Sequence, residues 1–142
     1  MITQSSAAAV TPPPQIKGKE VSCGDDHTLV IDVNGKVFAT GSNDHGQLGN
    51  GTKNSENALV PATGLLEKVA QAAAGAKHSL ILTESGKLLG TGCNLQGQLG
   101  NGTRHSESVL IQIDTPDLRF KSIYSSTFSA GLTEEGDLYL WG

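Results

Sequence analysis

The chain has 142 residues, of which 37% are hydrophobic, 17% charged and 4% aromatic, with 18 glycines and a single tryptophan. That length can bury about two-thirds of the unfolded chain's surface in one domain, and the glycine content fits many short strands and turns rather than a coiled coil or a disordered tail. Net charge is −4, the 10 Lys and Arg residues are scattered singly and no stretch is apolar for long, which argues against a phosphate-tracking nucleic-acid surface and against a transmembrane segment.

Residues 1–15 contain no basic residue and include Pro12, Pro13 and Pro14 after a Ser/Ala-rich run. They read as a flexible leader, neither a secretory signal nor a transit peptide. Cys23 and Cys93 are isolated, without the spacing of a disulfide framework or zinc site, and point to a reducing, cytoplasmic setting, with a nuclear or cytoskeleton-associated one also open.

From Lys17 onward the pattern predicts short strands between turn signals. In the first unit these fall at 19–23, 27–32, 36–40 and 58–62, and the one stretch with helical character is a turn at 64–68. Asn34-Gly35 lies between the two inner strands, where a hairpin needs positive φ, and Ser85-Gly86 and Glu135-Gly136 stand in the same place further on. The strand runs Leu29-Val30-Ile31 and Leu80-Ile81-Leu82 have apolar residues at successive positions, so both faces of those strands are expected to be covered.

A longer signal is written twice. Residues 40–52 and 91–103 match with a constant spacing of 51, with Gly41, Gly46, Gly49 and Gly51 recurring as Gly92, Gly97, Gly100 and Gly102. Four-stranded sheets stacked face to face around an axis, as in a β-propeller, account for this period and for strands covered on both sides.

The residues narrow the family. Gly24, His27, Thr28, Gly35, Gly41, Asn43, Gly46, Gln47, Leu48, Gly49 and Gly51 recur as Gly75, His78, Ser79, Gly86, Gly92, Asn94, Gly97, Gln98, Leu99, Gly100 and Gly102. This pattern resembles the repeat of the RCC1 (regulator of chromosome condensation) family, and Gly136 with Trp141-Gly142 fits a third copy. The resemblance implies an all-β, RCC1-like β-propeller segment of about two and a half four-stranded blades over residues 16–142, divided near 17–66, 67–117 and a partial 118–142. The third unit departs from the pattern: Phe128 stands where His27 and His78 stand, and Ser125 where Gly24 and Gly75 stand. Propellers of the family close with seven blades, so the expectation is an N-terminal portion of a longer chain; the competing reading is that further copies or another chain cover the open edge.

The Gly-Gln-Leu-Gly loops read as structural: Leu48 and Leu99 can plug the seam between blades and the amides of Gln47 and Gln98 can satisfy loop backbone, whereas a phosphate cradle would need a Lys-Ser/Thr and a following helix. His27 and His78 read as turn-stabilising hydrogen-bond formers rather than general bases. Asp25, Asp26 and His27 could be taken as a metal cluster, but the second unit has Ala76 and Lys77 there, so no metal or other cofactor is assigned. Asn50-Gly51-Thr52 and Asn101-Gly102-Thr103 read as turns, and Cys93 and Cys23 as small residues standing for Ser42 and Ala74. No catalytic triad is visible and no enzyme activity is assigned.

What differs between the repeats singles out partner-binding candidates: Asp44, His45, Lys53 and Asn54 in the first loop, and Leu95, Gln96, Arg104 and His105 in the second. By resemblance the function is a non-catalytic protein-interaction scaffold, with a small GTPase, a cytoskeletal protein or a ubiquitin-pathway protein among the partner types, and with no direct nucleic-acid or membrane contact. The alternative is guanine-nucleotide exchange on a small GTPase, for which the family's founding member uses an inserted β-wedge; the uniform spacing of the first two units leaves no room for one there.

Overall fold

The computed structural model describes residues 16–142; the expected leader at 1–15 lies outside them. Among the described residues, eleven strands form three antiparallel sheets. The first is β1 (Gly18–Cys23), β2 (His27–Asp32), β3 (Val37–Gly41) and β4 (Glu56–Pro61); the second is β5 (Val69–Ala74), β6 (His78–Thr83), β7 (Leu88–Gly92) and β8 (Glu107–Ile113). The third has β9 (Phe120–Ser125), β10 (Ser129–Thr133) and β11 (Leu138–Trp141). Within each sheet the strands pair in sequence order, the up-and-down meander of a propeller blade. No helix occurs among the described residues; the expected helical turn at 64–68 is irregular, because Gly64 adopts φ +94° and lies so close to the next blade that a Cβ would sit 2.3 Å from the Leu110 carbonyl oxygen.

Each β2–β3-type hairpin is closed by the same device. Gly35, Gly86 and Gly136 take φ of +79°, +88° and +95°, and a side-chain oxygen at the end of the preceding strand accepts from the turn backbone. Asp32 Oδ1 accepts from the amides of Asn34 and Lys36, Thr83 Oγ1 from Lys87 N–H and Thr133 Oγ1 from Asp137 N–H. The glycines were legible in the sequence; the acceptor, an aspartate in the first blade and a threonine in the other two, was not.

The blades pack face to face. One apolar cluster joins the first two through Leu29, Ile31, Leu48, Val69, Ile81 and Leu110; a second joins the second and third through Leu80, Leu82, Leu88, Ile113, Phe120 and Ile123. The middle strand β6 therefore has every residue buried, with Ile81 facing one neighbour and Leu80 and Leu82 the other, as alternation on a pleat requires. Burying each of these side chains stabilises the stack by roughly 1.5–3 kcal/mol.

The third blade enters one residue out of step with the sequence expectation. Ser129 pairs with Trp141 as Ser79 pairs with Thr91, which leaves Phe128 at the position of His27 and His78. On the other side, however, Ser125 pairs with Ser129 as Ala74 pairs with Ser79, and Ala76 N–H donates to Ser126 O as Asp25 N–H donates to Gly75 O. Ser126, not Ser125, thus occupies the place of Gly24 and Gly75, because the turn before β10 is one residue shorter.

Candidate functional site

The β3–β4 and β7–β8 loops leave their sheets at the same end, next to the β1–β2 and β5–β6 hairpins, fixed there by Ser42 N–H to Asp26 O and Cys93 N–H to Lys77 O, both 2.8 Å. Glycines of Gly-Gln-Leu-Gly bring each loop against the following blade: a Cβ on Gly46 would lie 2.5 Å from the Glu107 carbonyl oxygen, and one on Gly100 2.7 Å from Trp141 Nε1, whereas Gly97 meets nothing within 4 Å.

Each loop is built around a fully buried asparagine. Asn43 Nδ2 donates to Asn50 Oδ1, Thr52 O and Asn54 O at 3.1, 2.9 and 3.0 Å, while its Oδ1 accepts from Leu48 N–H at 3.0 Å. Asn94 makes the same four bonds to Asn101, Thr103, His105 and Leu99. Gln47 Oε1 accepts from His45 N–H, and Gln98 Oε1 from Gln96 N–H, at 2.9 Å. The glutamines thus act as expected, but the asparagines carry most of the loop frame. Leu48 and Leu99 are 1% and 0% exposed, the first within the seam between blades.

His27 and His78 form a second repeated device, and their partner is not the turn backbone that the sequence suggested. His27 Nε2 lies 2.8 Å from Ser79 Oγ in the next blade, and the Ser79 hydroxyl is 2.7 Å from Gln47 O. A carbonyl can only accept, so the hydroxyl proton belongs to Gln47 O and His27 Nε2–H donates to Ser79. Likewise His78 Nε2 meets Ser129 Oγ at 2.8 Å and Ser125 Oγ at 2.9 Å, and Ser129 donates to Gln98 O, which also takes Trp141 Nε1–H at 3.0 Å. Both Nδ1 atoms are buried without a partner, which a bare lone pair tolerates better than an N–H would. Burial lowers the pKa of each histidine to about 4; for His27 it outweighs the opposing pull of Asp25 and Asp26, and for His78 the nearby His27 adds to it. A neutral imidazole locked between blades is a seam bond, with no substrate-facing edge.

The eight divergent loop residues sit at the tips of the frame. Asp44, Lys53, Asn54, Leu95, Gln96, Arg104 and His105 are exposed and His45 is half-buried. Gln47 and Gln98 hold the backbone N–H of His45 and Gln96, and Asn43 and Asn94 hold the carbonyls of Asn54 and His105. Gly51 N–H to Ser108 O, at 2.7 Å, draws the first loop alongside the segment that follows Arg104 and His105. Asp25 and Asp26 are exposed, and no group of three or more His, Cys, Asp or Glu residues is placed to hold a metal among the described residues. Cys23 is exposed and Cys93 buried.

The family pattern described as "Regulator of chromosome condensation (RCC1) repeat" matches residues 19–47 and 69–98, and a second pattern of the same description matches residues 34–82. The chain belongs to the RCC1 repeat family. Its RCC1 repeats are 42% identical over 126 residues to the X-linked retinitis pigmentosa GTPase regulator of the dog, covering 86% of this chain and 13% of that protein. The crystal structure of human WBSCR16 superposes with a TM-score of 0.85 at 25% identity, over 94% of this chain and 35% of the other. Yeast RCC1 (Prp20), solved bound to Kap60, superposes with a TM-score of 0.76 at 28% identity, over 92% and 31%. The chain therefore spans an eighth to about a third of these relatives. No helix among the described residues is long and apolar enough to cross a membrane.

Proposed function

We propose that the loop rim of these RCC1 repeats is a protein-recognition surface and that the chain is a non-catalytic scaffold or adaptor. One observation carries this reading: two loops share an identical buried frame that holds the backbone of His45, Asn54, Gln96 and His105, and the residues that differ between the loops stand at its tips, exposed except for the half-buried His45. A rigid scaffold that presents variable tips favours recognition, because the ordering cost of the loop is already met in the free protein. The first loop offers Asp44, His45, Lys53 and Asn54; the second offers Leu95, 59% exposed, beside Gln96, Arg104 and His105, an apolar contact within a polar rim.

The test is capture of partners on the immobilised chain, compared with an Asp44→Lys, Leu95→Ser, Arg104→Glu variant of unchanged circular dichroism. Loss of a captured protein supports the assignment, and undiminished capture rejects it. A second reading, exchange on a small GTPase, is suggested by the name of the canine relative. It predicts faster release of a fluorescent guanine nucleotide from some member of a GTPase panel, and no acceleration across the panel removes it. A cytoplasmic site of action goes with the scaffold reading.

A further inference from the structure

We propose that Asn101 is a modification site: together with Gly102 it closes spontaneously to a succinimide that opens to aspartate and isoaspartate, while its repeat counterpart Asn50 is shielded from the same reaction. This chemistry is independent of whether the rim binds a partner. The chain has three Asn-Gly pairs, Asn34-Gly35, Asn50-Gly51 and Asn101-Gly102. Before a glycine, the next backbone nitrogen reaches the asparagine side-chain carbon with no Cβ in the way. The two loop pairs lie in the same run, Gln-Leu-Gly-Asn-Gly-Thr, so local sequence gives them equal reactivity and only the fold can separate them.

What differs is the nucleophile. Gly51 N–H donates to Ser108 O of the next blade at 2.7 Å, and Asn50 forms a β-bridge with Val109. Gly35 N–H donates to Asp32 O at 3.0 Å. Gly102 is exposed, its N–H donates to no protein oxygen among the described residues, and a Cβ placed on it would meet nothing within 4 Å. An amide whose proton is held by a carbonyl cannot turn its nitrogen on a neighbouring carbon until that bond opens. The electrophile, in contrast, is activated in both loops. Asn101 Oδ1 accepts from Asn94 Nδ2, Thr103 N–H and Thr103 Oγ1–H at 3.1, 3.1 and 2.9 Å, and Asn50 Oδ1 accepts from Asn43 Nδ2, Thr52 N–H and Thr52 Oγ1–H at 3.1, 3.1 and 3.0 Å.

In the reaction Gly102 N–H gives its proton to a base in solvent, the nitrogen bonds to Asn101 Cγ, and the carbonyl electron pair moves onto Oδ1, where the three donors meet the developing negative charge. The pair then returns, the Cγ–Nδ2 bond breaks, and Nδ2 leaves as ammonia with a proton taken from water. Water opens the five-membered ring. Addition at Cγ gives aspartate; addition at the backbone carbonyl carbon gives isoaspartate, with the main chain now running through the side-chain carbon. The aspartate suits the loop, because every group that faces Oδ1 is a donor and a carboxylate accepts from all of them. Isoaspartate lengthens the backbone between Asn101 and the Thr103 and His105 carbonyls that Asn94 holds, so it breaks the frame. Either product adds a negative charge to the loop that carries Arg104 and His105.

The test incubates the full chain in mildly alkaline buffer, folded and in parallel unfolded in guanidinium chloride, and then digests both with trypsin. Cleavage after Lys36, Lys53, Lys87 and Arg104 places Asn50 in peptide 37–53 and Asn101 in peptide 88–104. Chromatography with mass spectrometry reads the change from amide to acid and separates aspartate from isoaspartate. Unfolded, the two asparagines are expected to convert at equal rates. Folded, Asn101 should convert at least about threefold faster than Asn50, the factor that one hydrogen bond imposes, and Asn101→Gln should abolish the change in peptide 88–104. Asn101→Asp should melt at the temperature of the parent chain. Equal rates in the folded chain, a faster Asn50, or no conversion of folded Asn101 while the unfolded chain converts fully would each overturn the proposal. A lower melting temperature for Asn101→Asp would refute the fit of the aspartate product to the loop frame.

Discussion

Replacing Ser79 by alanine removes one oxygen and strands two buried partners. Ser79 is 0% exposed, receives His27 Nε2–H from the preceding blade and donates to Gln47 O, which has no other side-chain donor within reach. Each stranded group retains its desolvation penalty without its bond, so the loss comes to about 2–4 kcal/mol. The repeat supplies its own controls. Ser129→Ala deletes the equivalent hydroxyl, but Gln98 O keeps Trp141 Nε1–H and His78 Nε2–H keeps Ser125 Oγ, so the cost falls to about 1–2 kcal/mol. Thr28→Val deletes the first-blade counterpart, whose hydroxyl reaches only Cys23 Sγ at 3.8 Å, and costs about 0.5 kcal/mol or less. Urea denaturation followed by circular dichroism reads all three as shifts in midpoint at constant slope. Equal losses for the three variants, or a larger loss for Thr28→Val than for Ser79→Ala, would refute the hydrogen-bond relay as the cause.

Acid should weaken the protein through the same seam. With folded pKa values of about 4 against 6.5 in the unfolded chain, His27 and His78 make the unfolded state the one that binds protons in that window. Their contribution is intact above pH 6.5 and is lost on acidification towards pH 4, by roughly 3 kcal/mol per histidine. A His78→Gln variant should show about half the drop in urea midpoint between pH 7.5 and 4.5, and an unchanged drop would clear the histidines. Gly24→Ala would bring a Cβ within 2.2 Å of Gly75 O, whereas Gly102→Ala meets nothing within 4 Å and strains only a φ of +80°; thermal melts should separate them as about 3 kcal/mol or more against about 1 kcal/mol. Asn94→Asp turns the donor that faces Thr103 O and His105 O into an acceptor and should cost about 3 kcal/mol or more, with amide exchange accelerating first in residues 94–105.

The blade architecture was legible because it is written in local, periodic terms. A spacing of 51 that holds at Gly41, Gly46, Gly49 and Gly51, hairpin glycines at Gly35, Gly86 and Gly136, and unbroken apolar triplets such as Leu80-Ile81-Leu82 together require stacked antiparallel sheets. The divergent tips were legible as well, since two copies in one register show which positions the frame leaves free. The segment 64–68 forms no helical turn, and nothing near Gly64 in sequence announces the Leu110 carbonyl 46 residues away that dictates its conformation.

What only the tertiary structure decided is where bonds run between blades. His27 and Ser79 are 52 residues apart, and each looks locally like a strand-end residue; their pairing depends on how one sheet stacks on the next. The asparagine frame is not legible in the sequence for a related reason: Asn43 reaches backbone carbonyls up to 11 residues ahead, a closure that only the folded loop creates. The shift from Ser125 to Ser126 comes from a turn one residue shorter, fixed by the pairing of Ser129 with both Ser125 and Trp141. Periodicity thus determines which residues form a blade, because strand pleat and hairpin geometry act over a few residues. The joining of blades is decided by contacts about 50 residues apart, whose partners no local pattern names.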